Sequence, residues 1–476
     1  MVFSDPVFLF FFLPLCLSIF WAGAWRKRNA YICIVGAIFY VWGGGAFFMM
    51  LVASIIANHL AAKKLAVLRE SDPKRGQQLV RAVVTLNLLA LGVWKYTGFL
   101  TAQASALLDA IGYDNSLTLQ LALPIAISFY TFQCISYVVD AWRGTANPAP
   151  RIVDFAAYIL LFPHLIAGPI VRYAHIESDL LTRSHNRLND FAMGAPRFFW
   201  GLTKKVLIAD QVAAIANATF GLPDNRMTSA AAWIGVLAYA IQIYFDFSGY
   251  SDMAIGLARM FGFVFPENFD HPYAARSVTD FWRRWHISLS SWFRDYVYIP
   301  LGGNRKGPLR TYTNLGLVFL LTGIWHGANW TFIVWGVFHG TCLIIERLTG
   351  VGTSTSNRLL FARRAITFVL VCVGWAFFRA DDMGQALNVI SSMLIPNGWA
   401  LPATVDEVVT TQRLFWFAIG LLAVVSPARA HVGRWVSETG SSRNSQLRLA
   451  VMAIAAPLAC IYAMSSTFSP FLYFKF

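Results

Sequence analysis

Charge is scarce in this sequence. Of 476 residues only 13% are Asp, Glu, Lys or Arg, whereas 57% are hydrophobic. A soluble globular chain carries about 25% charged and about 45–50% apolar residues, so an ordinary soluble domain is excluded. Cysteine is also sparse. All six (Cys16, Cys33, Cys134, Cys342, Cys372, Cys460) fall in apolar runs and none forms CxxC, which leaves no disulfide framework and no thiolate zinc site. The patterns HxxxH, HExxH and GxSxG are missing, and with them the short signatures of zinc hydrolases and nucleophile-elbow hydrolases. There is no long low-complexity region, no evident repeat and no separate soluble domain.

What the sequence has instead is a succession of apolar runs: 7–25, 30–62, 82–100, 119–142, 153–171, 191–221, 231–258, 314–346, 365–378, 414–427 and 449–466. About twenty apolar residues cross a bilayer as helix. An open sheet cannot satisfy its backbone in lipid, so the expected class is all-α and polytopic, with roughly 10–12 membrane helices. The opening MVFSDPVFLFFFLPLCLSIFWAGAW lacks a basic n-region, and Arg26, Lys27 and Arg28 follow the apolar run. That order predicts a first spanning helix with an outer, periplasmic N-terminus rather than a signal peptide.

The net charge of +14 lies in short loops between the apolar runs. This pattern fits the positive-inside rule and speaks against nucleic acid as a partner. Loop 63–81, with Lys63, Lys64, Arg69, Lys74, Arg75 and Arg81, should be cytoplasmic, and loop 101–118, with no Lys or Arg, should face outward. Near the end, Arg429, Arg434, Arg443 and Arg448 mark another inner loop, leaving SPFLYFKF outside or at the outer interface. Basic residues flank 153–171 on both sides, so that segment or a neighbour should be re-entrant. Non-spanning backbone at membrane depth must be covered by protein or water, which predicts an enclosed central cavity. In FPHLIAGPIVRY (162–173), Pro163, Gly168 and Pro169 fit such a turn, with His164 and Arg172 nearby.

A few polar groups stand out against this background. In FWRRWHISLSSWF (281–293), Trp282, Trp285, Leu289, Trp292 and Phe293 recur at helical spacing, with Arg283, Arg284 and Arg294 on another side. This predicts an amphipathic helix in the cytoplasmic interface, either a simple anchor or a row of arginines able to hold the phosphates of an anionic donor. Asp246 and Asp252, in YFDFSGYSDMAIG (244–256), need partners if buried; Arg259, Arg172 and Lys204 are candidates, and pairing between helices is the simplest role. His326, in TGIWHGANW (322–330), is an ionisable group in an apolar stretch, where such groups point at a cavity or a partner. His339 follows thirteen residues later. On one continuous helix that offset is about 20 Å and a different face, so His286, His326 and His339 are not expected to share a metal unless the helix breaks at Gly327 or Gly336. A neutral imidazole in a dry pocket is instead free to act as a base. Deprotonating a hydroxyl, which acyl transfer to an alcohol requires, is worth roughly 10²–10⁴ in rate.

Taken together, LPIAISFYTFQ (123–133), FPHLIAGPIVRY, YFDFSGYSDMAIGLA (244–258), the block 268–307 and GIWHGANWTFIVWGVFHG (323–340) resemble the membrane-bound O-acyltransferase family, in its bacterial branch of alginate and peptidoglycan O-acetyltransferases. The resemblance covers nearly the whole chain. It implies a single membrane domain over 1–476, with a specific core at 123–340 and C-terminal helices at 361–476, arranged as a ring of helices around a thinned funnel. It places the family's essential histidine at His326 and its second position, Asn or His by branch, at His286. Trp282, Arg283, Arg284, Trp285, Trp325 and Asn329 become candidate donor- and substrate-binding residues. No metal and no permanently bound cofactor is implied. Acetyl-CoA would be the cytoplasmic donor, and the acetyl group would cross the inner membrane to a periplasmic SGNH-type partner and a polysaccharide acceptor, with lipid surrounding the helices. A D-alanyl transferase fed by a carrier protein is the neighbouring possibility within the family. A transporter or flippase would favour inverted repeats with paired broken helices, and none is evident.

Overall fold

The computed structural model describes residues 2–113, 119, 121–182, 186–353, 359–425, 431–438 and 442–465. Residues 114–118 of loop 101–118, Arg429 and the terminal SPFLYFKF, which entered the topology expectations, lie outside these. Among the described residues there is no strand. Six helices are long and apolar enough to cross a membrane: Ala24–Ser71, Pro73–Ala110, Ser229–Met260, Trp330–Thr349, Leu360–Arg379 and Ser442–Ser465. Two shorter apolar helices, Phe8–Ala22 and Thr411–Val424, accompany them. The protein is an all-α, multi-pass membrane protein. The count is below the sequence expectation. Run 191–221 is helical through a π segment at Lys204–Ala209 but carries Arg197, Lys204, Lys205 and Asp210, and run 314–346 is broken by a turn after His326.

The chain packs as two compact units, Phe3–Gly194 with Leu257–Pro266, and Ala195–Gly256 with Glu267–Phe476. In the first, Asp72 caps the helix Pro73–Ala110 by accepting from the Arg75 N–H at 3.1 Å, and Pro73 occupies the first turn, where its missing N–H costs nothing. Run 153–171 is not a spanning helix. It forms two short helices, Ile152–Ile159 and Phe162–Leu165, followed by non-helical backbone, and residues 157–171 are buried throughout. His164 belongs to this covered segment. Its Nε2 lies 2.7 Å from the Tyr158 carbonyl and its ring stacks on Phe265 at 5.1 Å.

In the second unit, Gly307–His326 and Trp330–Thr349 form a helical hairpin. Asn329 caps the second helix by accepting from the Thr331 N–H at 3.1 Å, and its amide donates to the Asp381 carbonyl at 2.8 Å. Glycines let the two backbones touch: a Cβ on Gly323 would strike the Phe332 carbonyl, and one on Gly336 would strike that of Phe319. The buried carboxylates of Ser229–Met260 are paired between helices, as expected, but with partly different partners. Asp252 bonds Lys204 at 2.6 Å and Arg197 at 2.8 Å, while Asp246 bonds Lys205 at 2.8 Å. Arg259 pairs instead with Asp190, in the first unit, at 2.9 Å.

Candidate active site

The stretch 281–293 is not one amphipathic helix. Val278–Arg284 and Ile287–Phe293 are separate short helices, and His286 forms the corner with left-handed φ of 45°. A non-glycine residue held there is rare and needs surrounding support. Asn268 provides it. Its Oδ1 meets the backbone N–H of Ser288 at 3.2 Å, the Ser288 hydroxyl at 2.8 Å and His286 Nδ1 at 3.2 Å, and its own carbonyl accepts from Ile287 N at 3.0 Å. A backbone N–H can only donate, so the Asn268 atom facing it is the oxygen, and its amide turns to the Ser251 hydroxyl at 3.2 Å. The Ser288 hydroxyl spends its proton on that oxygen. His286 therefore carries its proton on Nδ1, which leaves Nε2 as the basic nitrogen. The ring is fully buried, edge-on to Phe247 at 4.7 Å, and desolvation pushes its pKa down to about 3.

His326 ends the helix Gly307–His326 and is 3% exposed. Three rings cage it: Trp325 at 4.9 Å, Trp335 at 5.0 Å and Phe378 at 5.0 Å. The turn at Gly327 reverses the chain, so His339 does not point elsewhere. It packs on the other side of Trp335 at 5.0 Å, and its Nδ1 accepts from the Trp282 indole at 3.4 Å. The break at Gly327 thus removes the thirteen-residue offset that a continuous helix would impose. A second path of rings links the two principal histidines. Phe378, against His326, touches Trp375 at 5.6 Å, and Trp375 touches Trp285, the residue before His286, at 4.9 Å.

Beside this aromatic wall lies a cleft of about 470 Å³, lined among others by Trp282, Arg283, Leu289, Arg294, Phe319 and Thr322. Thr322 is one helical turn before His326, on the same face. Arg283 lines the cleft. Arg284 does not: it bonds Asp280 at 2.8 Å and the Asp270 carbonyl at 3.4 Å. The second cleft guanidinium is Arg294, which is itself held by both oxygens of Asp295 at 2.7 and 3.1 Å. Asn329 is occupied as a helix cap and Trp285 as a core ring, whereas Trp282 and Trp325 wall the cleft and His326 respectively. Asn268 and Ser288 were not singled out as site residues by sequence reasoning, whereas Arg294 belonged to the expected row of arginines. His286-Ile287-Ser288 was the available hint for Ser288, but nothing local announces Asn268, eighteen residues upstream of its histidine.

The cleft lining includes Ile287, next to His286, and Thr322, one turn before His326, but neither histidine itself. The sequence profile of the membrane-bound O-acyltransferase family matches residues 148–379. The chain is 40% identical to the probable alginate O-acetylase AlgI of Pseudomonas putida across 100% of both chains. It is 36% identical to the peptidoglycan O-acetyltransferase of Helicobacter pylori over 84% of this chain and 81% of that one. Similarity to the teichoic acid D-alanyltransferase of Bacillus subtilis is lower, 28% over 53% of this chain and 68% of the other. The protein belongs to the membrane-bound O-acyltransferase family and is an acyltransferase.

Proposed function

We propose that this protein takes an acetyl group from cytoplasmic acetyl-CoA and passes it across the inner membrane for O-acetylation of an exported polysaccharide, alginate-type first, peptidoglycan or another exopolysaccharide next. End-to-end similarity to a probable alginate O-acetylase supports the polymer class over D-alanyl transfer. The observation that carries the donor side is the cleft, where Arg283 and Arg294 suit phosphates and the Trp282–Phe319 wall suits an apolar arm. In the reaction a hydroxyl oxygen attacks the thioester carbonyl. The new C–O bond forms, the C–S bond breaks, and the hydroxyl proton passes to an imidazole and on to the departing sulfur. His326 is the base in this reading, and His286 the second imidazole, positioned by Asn268. A periplasmic SGNH-type partner completes delivery to the polymer. The test uses purified protein with acetyl-CoA. Free CoA should appear only when an acceptor hydroxyl or the partner is added. Transfer from a D-alanyl carrier protein, with acetyl-CoA inert, would overturn the assignment.

A further inference from the structure

We propose that Asp270, His271 and His431 form a binding site for a divalent transition-metal ion, a role independent of the acyl-transfer reading. His431 is far along the chain from the other two, yet all three donor atoms lie within 4.8 Å of one another. Nδ1 of His271 is 3.3 Å, and Nδ1 of His431 3.8 Å, from the same Asp270 oxygen, and the two rings meet at 4.6 Å. With metal–ligand bonds near 2.0–2.1 Å, a tetrahedral ion needs its donors about 3.3 Å apart, so only a small closure separates these side chains from coordination. Asp270 is held from behind, its backbone N–H donating to the Arg284 carbonyl at 2.9 Å.

Of the nearby guanidiniums, Arg284 is held by its own carboxylate, whereas Arg434 shares Glu267 with Arg197. Arg284 is on Asp280 at 2.8 Å, and Arg434 faces Glu267 at 3.9 Å. Two imidazoles and one carboxylate suit zinc, cobalt or nickel better than magnesium or calcium, which prefer all-oxygen sets. His271 and His431 also line a cavity of about 250 Å³ together with Trp200 and Lys204. A bound ion would present its fourth position to that cavity and would clip the short helix Val432–Trp435 to the loop at 267–271.

The experiment uses full-length protein without a histidine tag, purified in detergent and stripped with chelator. Co²⁺ titration should give visible d–d absorption saturating at one equivalent per chain, and Zn²⁺ should displace it. His271→Ala and His431→Ala should each weaken binding about tenfold or more, whereas Arg434→Ala should retain it. Size-exclusion profiles establish that the variants are folded, and His431→Gln replaces any variant that is not. Absence of saturable Co²⁺ and Zn²⁺ binding by the wild type overturns the proposal, as does unchanged binding after both histidines are removed.

Discussion

At the residue scale, the account turns on how two imidazoles are held. His326 and His286 were legible because a polar ring in apolar sequence is conspicuous. Asn268 was not, since an asparagine in a loop is ordinary until the fold brings His286 against it. Its role gives a sharp expectation. Asn268→Leu leaves the buried Ser288 N–H without its side-chain acceptor, a cost of about 1–3 kcal/mol. It should also lower the turnover number with little change in the KM for acetyl-CoA. Asn268→Asp keeps the acceptor but adds a negative charge that favours the imidazolium. The acid limb of its pH–rate profile should move to higher pH, and an unmoved limb would reduce Asn268 to a purely structural loop residue. Burial of His286 has its own consequence. Its ordinary pKa of 6.5 falls to about 3 in the folded protein. Between those values the unfolded chain binds a proton that the folded chain does not, so stability is complete above pH 6.5 and falls as pH drops toward 3. The slope is about 1.4 kcal/mol per pH unit. His286→Asn should flatten this part of the thermal-inactivation profile in detergent, and an identical profile would show that the imidazole is not the group responsible.

At the element scale, composition and run length identified helices well, but not their breaks. The segment 281–293 has helical periodicity on both sides of His286, and periodicity carries no mark of the single left-handed residue that divides it. Likewise 314–346 reads as one apolar stretch, although Gly327 and the Asn329 cap make it a hairpin. The glycines of that hairpin act through backbone proximity. Gly336→Ala would drive a methyl into the Phe319 carbonyl and part the helices that carry His326 and His339. A loss of about 1–3 kcal/mol follows from such overpacking, measurable as a lower inactivation midpoint with reduced transfer. Gly92→Ala, at an open position inside the helix Pro73–Ala110, should leave the midpoint in place. The ion network is a second element-scale test. Arg197 is 3% exposed and bonds Asp252 and Glu267 together. Arg197→Met should cost about 1–3 kcal/mol, because Asp252 keeps only Lys204 and Glu267 loses its bidentate donor, and Arg197→Lys should not fully restore it, since one ammonium cannot reproduce the planar fork. Full stability in the methionine variant would contradict the structural role.

At the scale of the whole molecule, the scarcity of charge gave the membrane class directly, and the charges that do lie in helices, such as Asp252 with Arg197 and Lys204, are paired. The positive-inside bias assigns the two ends of Pro73–Ala110. At 1.5 Å per residue this 38-residue helix is about 57 Å long, more than the roughly 30 Å hydrocarbon core. Cysteines at Lys74 and Tyr113 should therefore label differently with an impermeant reagent in intact cells, the second reacting and the first protected. Equal reactivity would overturn the orientation. The claim on which the rest depends is that His326 takes the proton of the attacking hydroxyl. Its most direct test is acetyl transfer by His326→Gln, a change that keeps hydrogen bonding and similar bulk but cannot take up a proton. Membrane accumulation and folding should match the wild type, and transfer should fall by about 10²–10⁴. His175→Gln, on an exposed face of the first unit, should transfer normally. Near wild-type transfer by the His326 variant would contradict the account.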